Sequence, residues 1–262
     1  MPLGRGRWQN ADNPREYSFS SKRIVRGLCK TYYQVIVLKK MNPKIELFSF
    51  QGSLFAWRVH LALAIHNIDY TTHDLDPFKA EHKQPNYLDL NLRGKVPLLK
   101  HGDFFVRESI AILVYLDSLF PEWQLFGKTS QEKAIIWQQV CEVENIVAPC
   151  LLKLIPPIFF GGLAEKEKEV IENFENLKAE FSILNDNILA DKNWLGGDRL
   201  SAADIAIYPM FKFVERLAAN EEVGKLDIDI LPIEQKYPKL GNLLQNIEEI
   251  PNVDSLYPPH WR

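Results

Sequence analysis

Glu108 and Ser109 stand side by side where a strand-like run gives way to a helical one. A serine at a helix start offers its hydroxyl and the free N–H groups of the first turn to a carboxylate, and a neighbouring glutamate accepts from an ammonium group. The pair therefore suits a ligand end that carries both charges, with helix capping as the simpler use. Ser53 occupies a second helix start. Val96-Pro97 opens a strand, an odd place for a residue that lacks an N–H donor. His82-Lys83 is a polar pair 14 and 13 residues before Val96, and Lys95 is a further cation beside it. Cys29, Cys141 and Cys150 form no C-x-x-C pair, so neither a disulfide framework nor a zinc site is expected.

These residues need elements to place them. Lys44–Ser49 alternates as a strand, and after Gln51-Gly52 the apolar positions Phe55, Val59, Ala62 and Leu63 recur at helical spacing. His66 is next on that face, expected in solvent or on a last-turn carbonyl. Asp69–His73 predicts a second strand, parallel to the first through a right-handed crossover. Val96–Lys100 and Phe104–Arg107 flank His101-Gly102-Asp103 as a hairpin, and Ile110, Leu113, Leu116 and Leu119 mark a helix that stops before Pro121. The order β-α-β, then β-β-α, is a thioredoxin-like α/β layout.

Beyond Thr129 strand signals vanish. Ser130–Leu154 and Lys166–Leu189 carry helical periodicity, and Pro156-Pro157 with Gly161-Gly162 predicts an irregular, open segment between them. Ser201 and Asp204 form a helix-start box before Ile205–Leu217, where Pro209 is expected to kink the helix or end its first turn. The resulting division is a basic extension without fixed structure over 1–43, a thioredoxin-like domain over 44–122, a linker over 123–128 and an all-helical bundle domain over 129–262.

A hydrophobic share of 46% and a charged share of 25% over 262 residues fit a globular protein and exclude a disordered or fibrous one. The net charge of −3 argues against a nucleic-acid binder, and no apolar run reaches membrane-spanning length. A cytoplasmic location is expected. The charge is unevenly spread: nine Lys/Arg against Asp12 and Glu16 make residues 1–40 +7, leaving 22 basic and 32 acidic residues, or −10, for the rest. Met41 stands three residues before the first strand. The head reads either as an upstream stretch read in frame or as a targeting segment, with the first preferred because of its two acids and its lack of an amphipathic helix.

Four segments in order carry a resemblance: Ser53-Leu-Phe-Ala-Trp-Arg-Val59, His82-Lys83-Gln84, Asn91-Leu-Arg-Gly-Lys-Val-Pro97 with Leu98-Leu99, and Glu108-Ser109-Ile-Ala-Ile-Leu-Val-Tyr-Leu116. Together they resemble the soluble glutathione transferases, serine-type, nearest to phi, tau, zeta-like and bacterial members. Gly196-Gly197-Asp198 with Ser201–Asp204 resembles the family's helical-domain capping motif. The resemblance implies conjugation of glutathione thiolate to hydrophobic electrophiles, with glutathione as co-substrate, no metal, and a homodimer. It implies that Ser53 holds the thiolate, because a donor hydrogen bond and a helix N-terminus lower a thiol's pKa. Val96, before a cis Pro97, is implied for the cysteinyl backbone, Glu108 and Ser109 for the γ-glutamyl end, and His82, Lys83 and Lys95 for the glycyl carboxylate. Phe55, Trp137, Cys141, Phe159 and Phe160 are the candidates for the electrophile's pocket.

Departures from the family patterns narrow the chemistry. No Cys replaces Ser53, no Tyr lies in Lys44–Ser53, and Leu54-Phe55 stands where zeta members carry Ser-Cys, which weakens that class's isomerase reaction. Ser49 is the competing hydroxyl, placed inside the strand. A glutathione-dependent isomerase or peroxidase and a non-catalytic binding module remain the alternatives.

Overall fold

The computed structural model describes residues 44–261, and the expectations for the basic head lie outside the described residues. Strand β1 (Ile45–Ser49) buries Ile45, Leu47 and Ser49 in strict alternation, the period-two pattern of a half-covered strand. It pairs in parallel with β2 (Tyr70–Asp74) and antiparallel with β3 (Leu98–His101), which pairs with β4 (Phe104–Arg107), so the sheet order is β2-β1-β3-β4. Between β1 and β2 runs α1 (Leu54–Ile65), closed by Asn67 at φ +53°, whose left-handed turn lets the Ile68 N–H reach the Leu63 carbonyl at 2.9 Å. A short helix α2 (Pro85–Leu88) precedes β3, and α3 (Ser109–Leu119) follows β4.

The remainder is helical. Thr129 caps α4 (Ser130–Glu142), which passes through a π-helical turn at Val143–Val147 into α5 (Ala148–Phe159). Then come α6 (Glu167–Ile183), α7 (Ala202–Ala218), α8 (Ile233–Lys236) and α9 (Pro238–Glu248). The last two helices carried no reading in the sequence. Almost every residue of α1 from Leu54 to Leu63 is buried, because the helix lies between α3 and α7 and not on one face of a sheet alone. One core joins the two halves, and residues 44 onward form one compact unit.

Tertiary packing decides how several expected segments sit. Residues 123–128, which join the halves, are packed into the core: Trp123, Leu125 and Phe126 are buried, and Leu125 bonds to Asp117 on one side and Ala202 on the other. Pro156 and Pro157 stay inside α5, because the carbonyls they leave without a donor, those of Leu152 and Lys153, belong to exposed residues that water reaches. Pro209 lies inside α7, beyond its first turn, so of the two expectations the one that it ends the first turn is not met. Next to the carbonyl it orphans at Ile205, the Ala206 carbonyl accepts from the Arg58 Nε–H at 2.8 Å. His66 is the partly exposed C-cap of α1, its N–H donating to the Ala62 carbonyl at 3.4 Å; its ring stacks on Trp123 at 4.0 Å and 8°, its Nε2 is buried without a partner, and burial lowers its pKa.

Candidate active site

A cleft of about 570 Å³ lies between the α/β half and α4–α5. Ser53 reaches it as the N-cap of α1: its Oγ accepts the Ala56 N–H at 3.2 Å, which uses a lone pair and leaves the hydroxyl proton free to donate. The competing Ser49 is buried in β1 and committed elsewhere, with Oγ 3.0 Å from His60 Nε2 and 3.4 Å from Asp74 Oδ1. Tyr70 Oη lies 2.8 Å from the other nitrogen of His60, and burial pushes the imidazole's pKa down to about 4.

The Val96–Pro97 bond is cis and both residues line the cleft. Just before it, the Lys95 carbonyl accepts from Tyr87 Oη at 2.8 Å and from Asn91 Nδ2 at 2.7 Å, so the loop into β3 is held by two buried side chains that sequence reasoning did not single out. Gly94, at φ +53°, has no room for a side chain: a Cβ would come within 2.8 Å of the His82 carbonyl. His82 and Lys83 also line the cleft. Lys83 Nζ donates to the Gly94 carbonyl at 2.6 Å, and the His82 pKa is lowered by burial and by Lys83.

Glu108 has φ +68°, a left-handed conformation uncommon for a residue with a Cβ, and it sits at the mouth of α3 on the cleft. Ser109 is buried, and its Oγ accepts from Arg58 Nη1 at 3.2 Å. The same nitrogen lies 2.5 Å from Glu144 Oε1, on the π-helical turn, and Glu144 also lines the cleft. Arg58 has no exposed surface, and its Nη2 has no partner. Burial lowers its pKa, while Glu144 opposes the shift. Its signal in the sequence is a lone charge in an otherwise apolar helix, which a reading confined to apolar spacing passes over.

On the helical side Trp137, Cys141, Val140 and Leu152 face Phe50, Phe55 and Ile110 across the cleft. Phe159 and Phe160 are not part of it. Because α5 continues through its prolines, Phe159 turns to Phe213 at 6.0 Å and to Arg216, and Phe160 is 78% exposed at the helix end. Among the described residues no three His, Cys, Asp or Glu side chains gather as a metal ion would need, and no helix is long and apolar enough to cross a membrane.

A thioredoxin-like sheet followed by a helical half, with a serine-capped helix and a cis X-Pro facing one cleft, defines a two-part scaffold built around that cleft. Residues 43–118 match the family model of the glutathione S-transferase N-terminal domain and residues 144–251 that of the C-terminal domain. The chain is 32% identical over 169 residues to glutathione S-transferase 1 of Dianthus caryophyllus, covering 64% of this chain and 76% of that one. It is 26% identical over 182 residues to maleylacetoacetate isomerase of Pseudomonas aeruginosa, covering 66% and 82%. A glutathione S-transferase structure from the Antarctic clam Laternula elliptica superposes with a TM-score of 0.70 at 25% identity, covering 83% and 94%. The chain belongs to the glutathione S-transferase family.

Proposed function

We propose that this glutathione transferase uses Ser53 as the donor that holds the glutathione thiolate, with Val96, Glu108 and Ser109 binding the tripeptide. The observation that carries the reading is the division of labour at Ser53, whose oxygen is occupied by the Ala56 N–H while its proton is free at a cleft that also holds Val96-Pro97 and Glu108-Ser109. A hydroxyl donor at the positive end of α1 favours thiolate over thiol, and the thiolate is the nucleophile. Ser109 is primed in the same way: with Arg58 donating to its oxygen, its proton is directed to another acceptor, which suits the γ-glutamyl carboxylate. Glu108 accepts from the ammonium group beside it. Lys83 and Lys95 place positive charge where a second carboxylate ends, with the His82 ring beside them, and Phe55, Trp137 and Cys141 form the wall for a hydrophobic electrophile.

Ser53→Ala is expected to keep the fold and to lower turnover by roughly 10²-fold, with the absorbance of bound thiolate titrating at higher pH. An unmoved titration would reduce Ser53 to a cap. Ser109→Ala is expected to weaken glutathione binding by about 1–3 kcal/mol, read by calorimetric titration. An isomerase reaction on the same site is the second reading, favoured by the bacterial relative, and a co-substrate panel separates the two. A homodimer belongs to the same reading, supported by Leu92 and Phe104, apolar yet 69% and 50% exposed, and is checked by light scattering. A cytoplasmic location is supported by the unpaired Cys141 and Cys150 and is checked by fractionation.

A further inference from the structure

The last eight described residues, 254–261, fold back onto the turn that carries Ser53. Gly52 immediately precedes Ser53, has φ +86°, and packs so closely that a Cβ there would lie 3.1 Å from His260 Nε2 and 3.5 Å from Trp261 Nε1. The Trp261 indole N–H donates to His260 Nε2 at 2.9 Å, which makes the two side chains one unit against the turn. That unit is anchored in the helical half. The Arg216 guanidinium lies 4.9 Å from the Trp261 ring and donates to the His260 carbonyl at 3.3 Å, and the Phe213 ring is 5.2 Å away. On its inner side, Trp261 and Tyr257 each meet the Trp57 ring edge-on at 5.6 Å, one turn of α1 after Ser53. Ser53 thus borders the catalytic cleft and also a second pocket, of about 270 Å³, walled partly by Leu256 and Tyr257 of the tail.

We propose that the C-terminal tail, through His260 and Trp261, is a positioning element for Ser53, and the inference rests on the reading of Ser53 given above. The Phe50–Ser53 turn is closed by a single 3.2 Å backbone hydrogen bond and contains a glycine, so α1 fixes one end of Ser53 while the turn behind it stays soft. A donor that stabilises a developing or resting thiolate acts only when aimed within a fraction of an ångström, and the tail supplies the rigid surface that sets this aim. Nothing in the tail borders the cleft residues Val96, Glu108 or Ser109, so it acts on the sulfur end of the tripeptide alone.

The test uses the full chain saturated with glutathione and reads three quantities: the pH midpoint of the thiolate absorbance, kcat, and KM for glutathione. Trp261→Ala is expected to raise the midpoint and to lower kcat by about tenfold while KM stays within about twofold, and Trp261→Phe to restore most of the loss. In a Ser53→Ala background the same change is expected to add nothing. An unmoved midpoint and kcat in Trp261→Ala, or an equal loss in the Ser53→Ala background, overturns the proposal. Ser53→Ala by itself reports on the underlying reading: if it leaves the midpoint in place, Ser53 is not the thiolate donor and the tail has nothing to aim. Should Trp261→Ala fail to fold, His260→Ala at an exposed position carries the same expectation at about threefold, with the same overturning result.

Discussion

Serine opens a helix in each half of the molecule, and the two are used in opposite ways. Ser53 of α1 accepts one backbone N–H and keeps its proton for the cleft. Ser201 of α7 is fully buried, and both its N–H and its hydroxyl donate to Asp204 Oδ2, at 2.8 and 2.7 Å, while Asp204 Oδ1 takes the Leu195 N–H at 2.8 Å. The local chemistry is the same, since a serine at that position satisfies a helix start. What differs is whether a carboxylate stands three residues on to consume the proton. Position 56 is Ala and position 204 is Asp, so the first serine is left with a donor to spend and the second is closed into the core.

The largest expected effect breaks the link between the halves. Arg58→Met removes a buried guanidinium that serves Ser109, Glu144 and the Ala206 carbonyl at once, and should cost about 3–5 kcal/mol of stability in denaturant titrations. A loss under 1 kcal/mol would show that the two halves hold together without it.

Next comes acidity, where the halves oppose each other. The folded pKa of His60 is depressed from 6.5 to about 4, so its contribution is complete above pH 6.5 and is withdrawn as the pH falls towards 4. For Asp204 burial raises the folded pKa from 3.8 to about 6, so its proton favours the fold and that contribution is lost as the pH rises from 3.8 through 6. Each is worth on the order of 3 kcal/mol, and in the parent chain they largely cancel. Relative to the parent, His60→Gln should therefore gain stability between pH 7 and pH 4 and Asp204→Asn should lose it. Parallel stability–pH curves for all three chains would refute the assignment.

The smallest effect is the most direct comparison of the two serines. Ser201→Ala is expected to cost about 1–2 kcal/mol, visible as a lower melting temperature, while turnover per folded molecule is unchanged. Ser53→Ala should do the reverse. If both variants lose stability equally and neither loses turnover, the distinction between a capping and a catalytic serine fails.

The readings that held were local ones. The four strands, the Ser53 cap and the stop before Pro121 depend on alternation, helical spacing and side-chain bonds spanning three or four residues, and β2 and β3 are displaced from their expected bounds by only one or two positions. The short helices α8 and α9 went unread because Pro232 and Pro238 interrupt the periodic signal at their starts. Of the candidate pocket residues, Phe55, Trp137 and Cys141 come together and Phe159 and Phe160 do not, a difference decided by whether α5 survives its two prolines.

Sequence alone determined the order of the four strands and of the helices with an unbroken apolar period, the two-half division and the serine at each helix start, because each rests on residues within one turn or one hairpin of each other. Tertiary structure alone decided what those residues touch. Arg58 finds Ser109, Glu144 and Ala206 at separations of 51, 86 and 148 residues, His66 stacks on Trp123, and His260 closes on Gly52 from the far end of the chain. A buried charge or ring must find its partner wherever the packed core brings one, since leaving it unpaired costs more than any local propensity supplies, and that partner carries no mark in its own stretch of sequence.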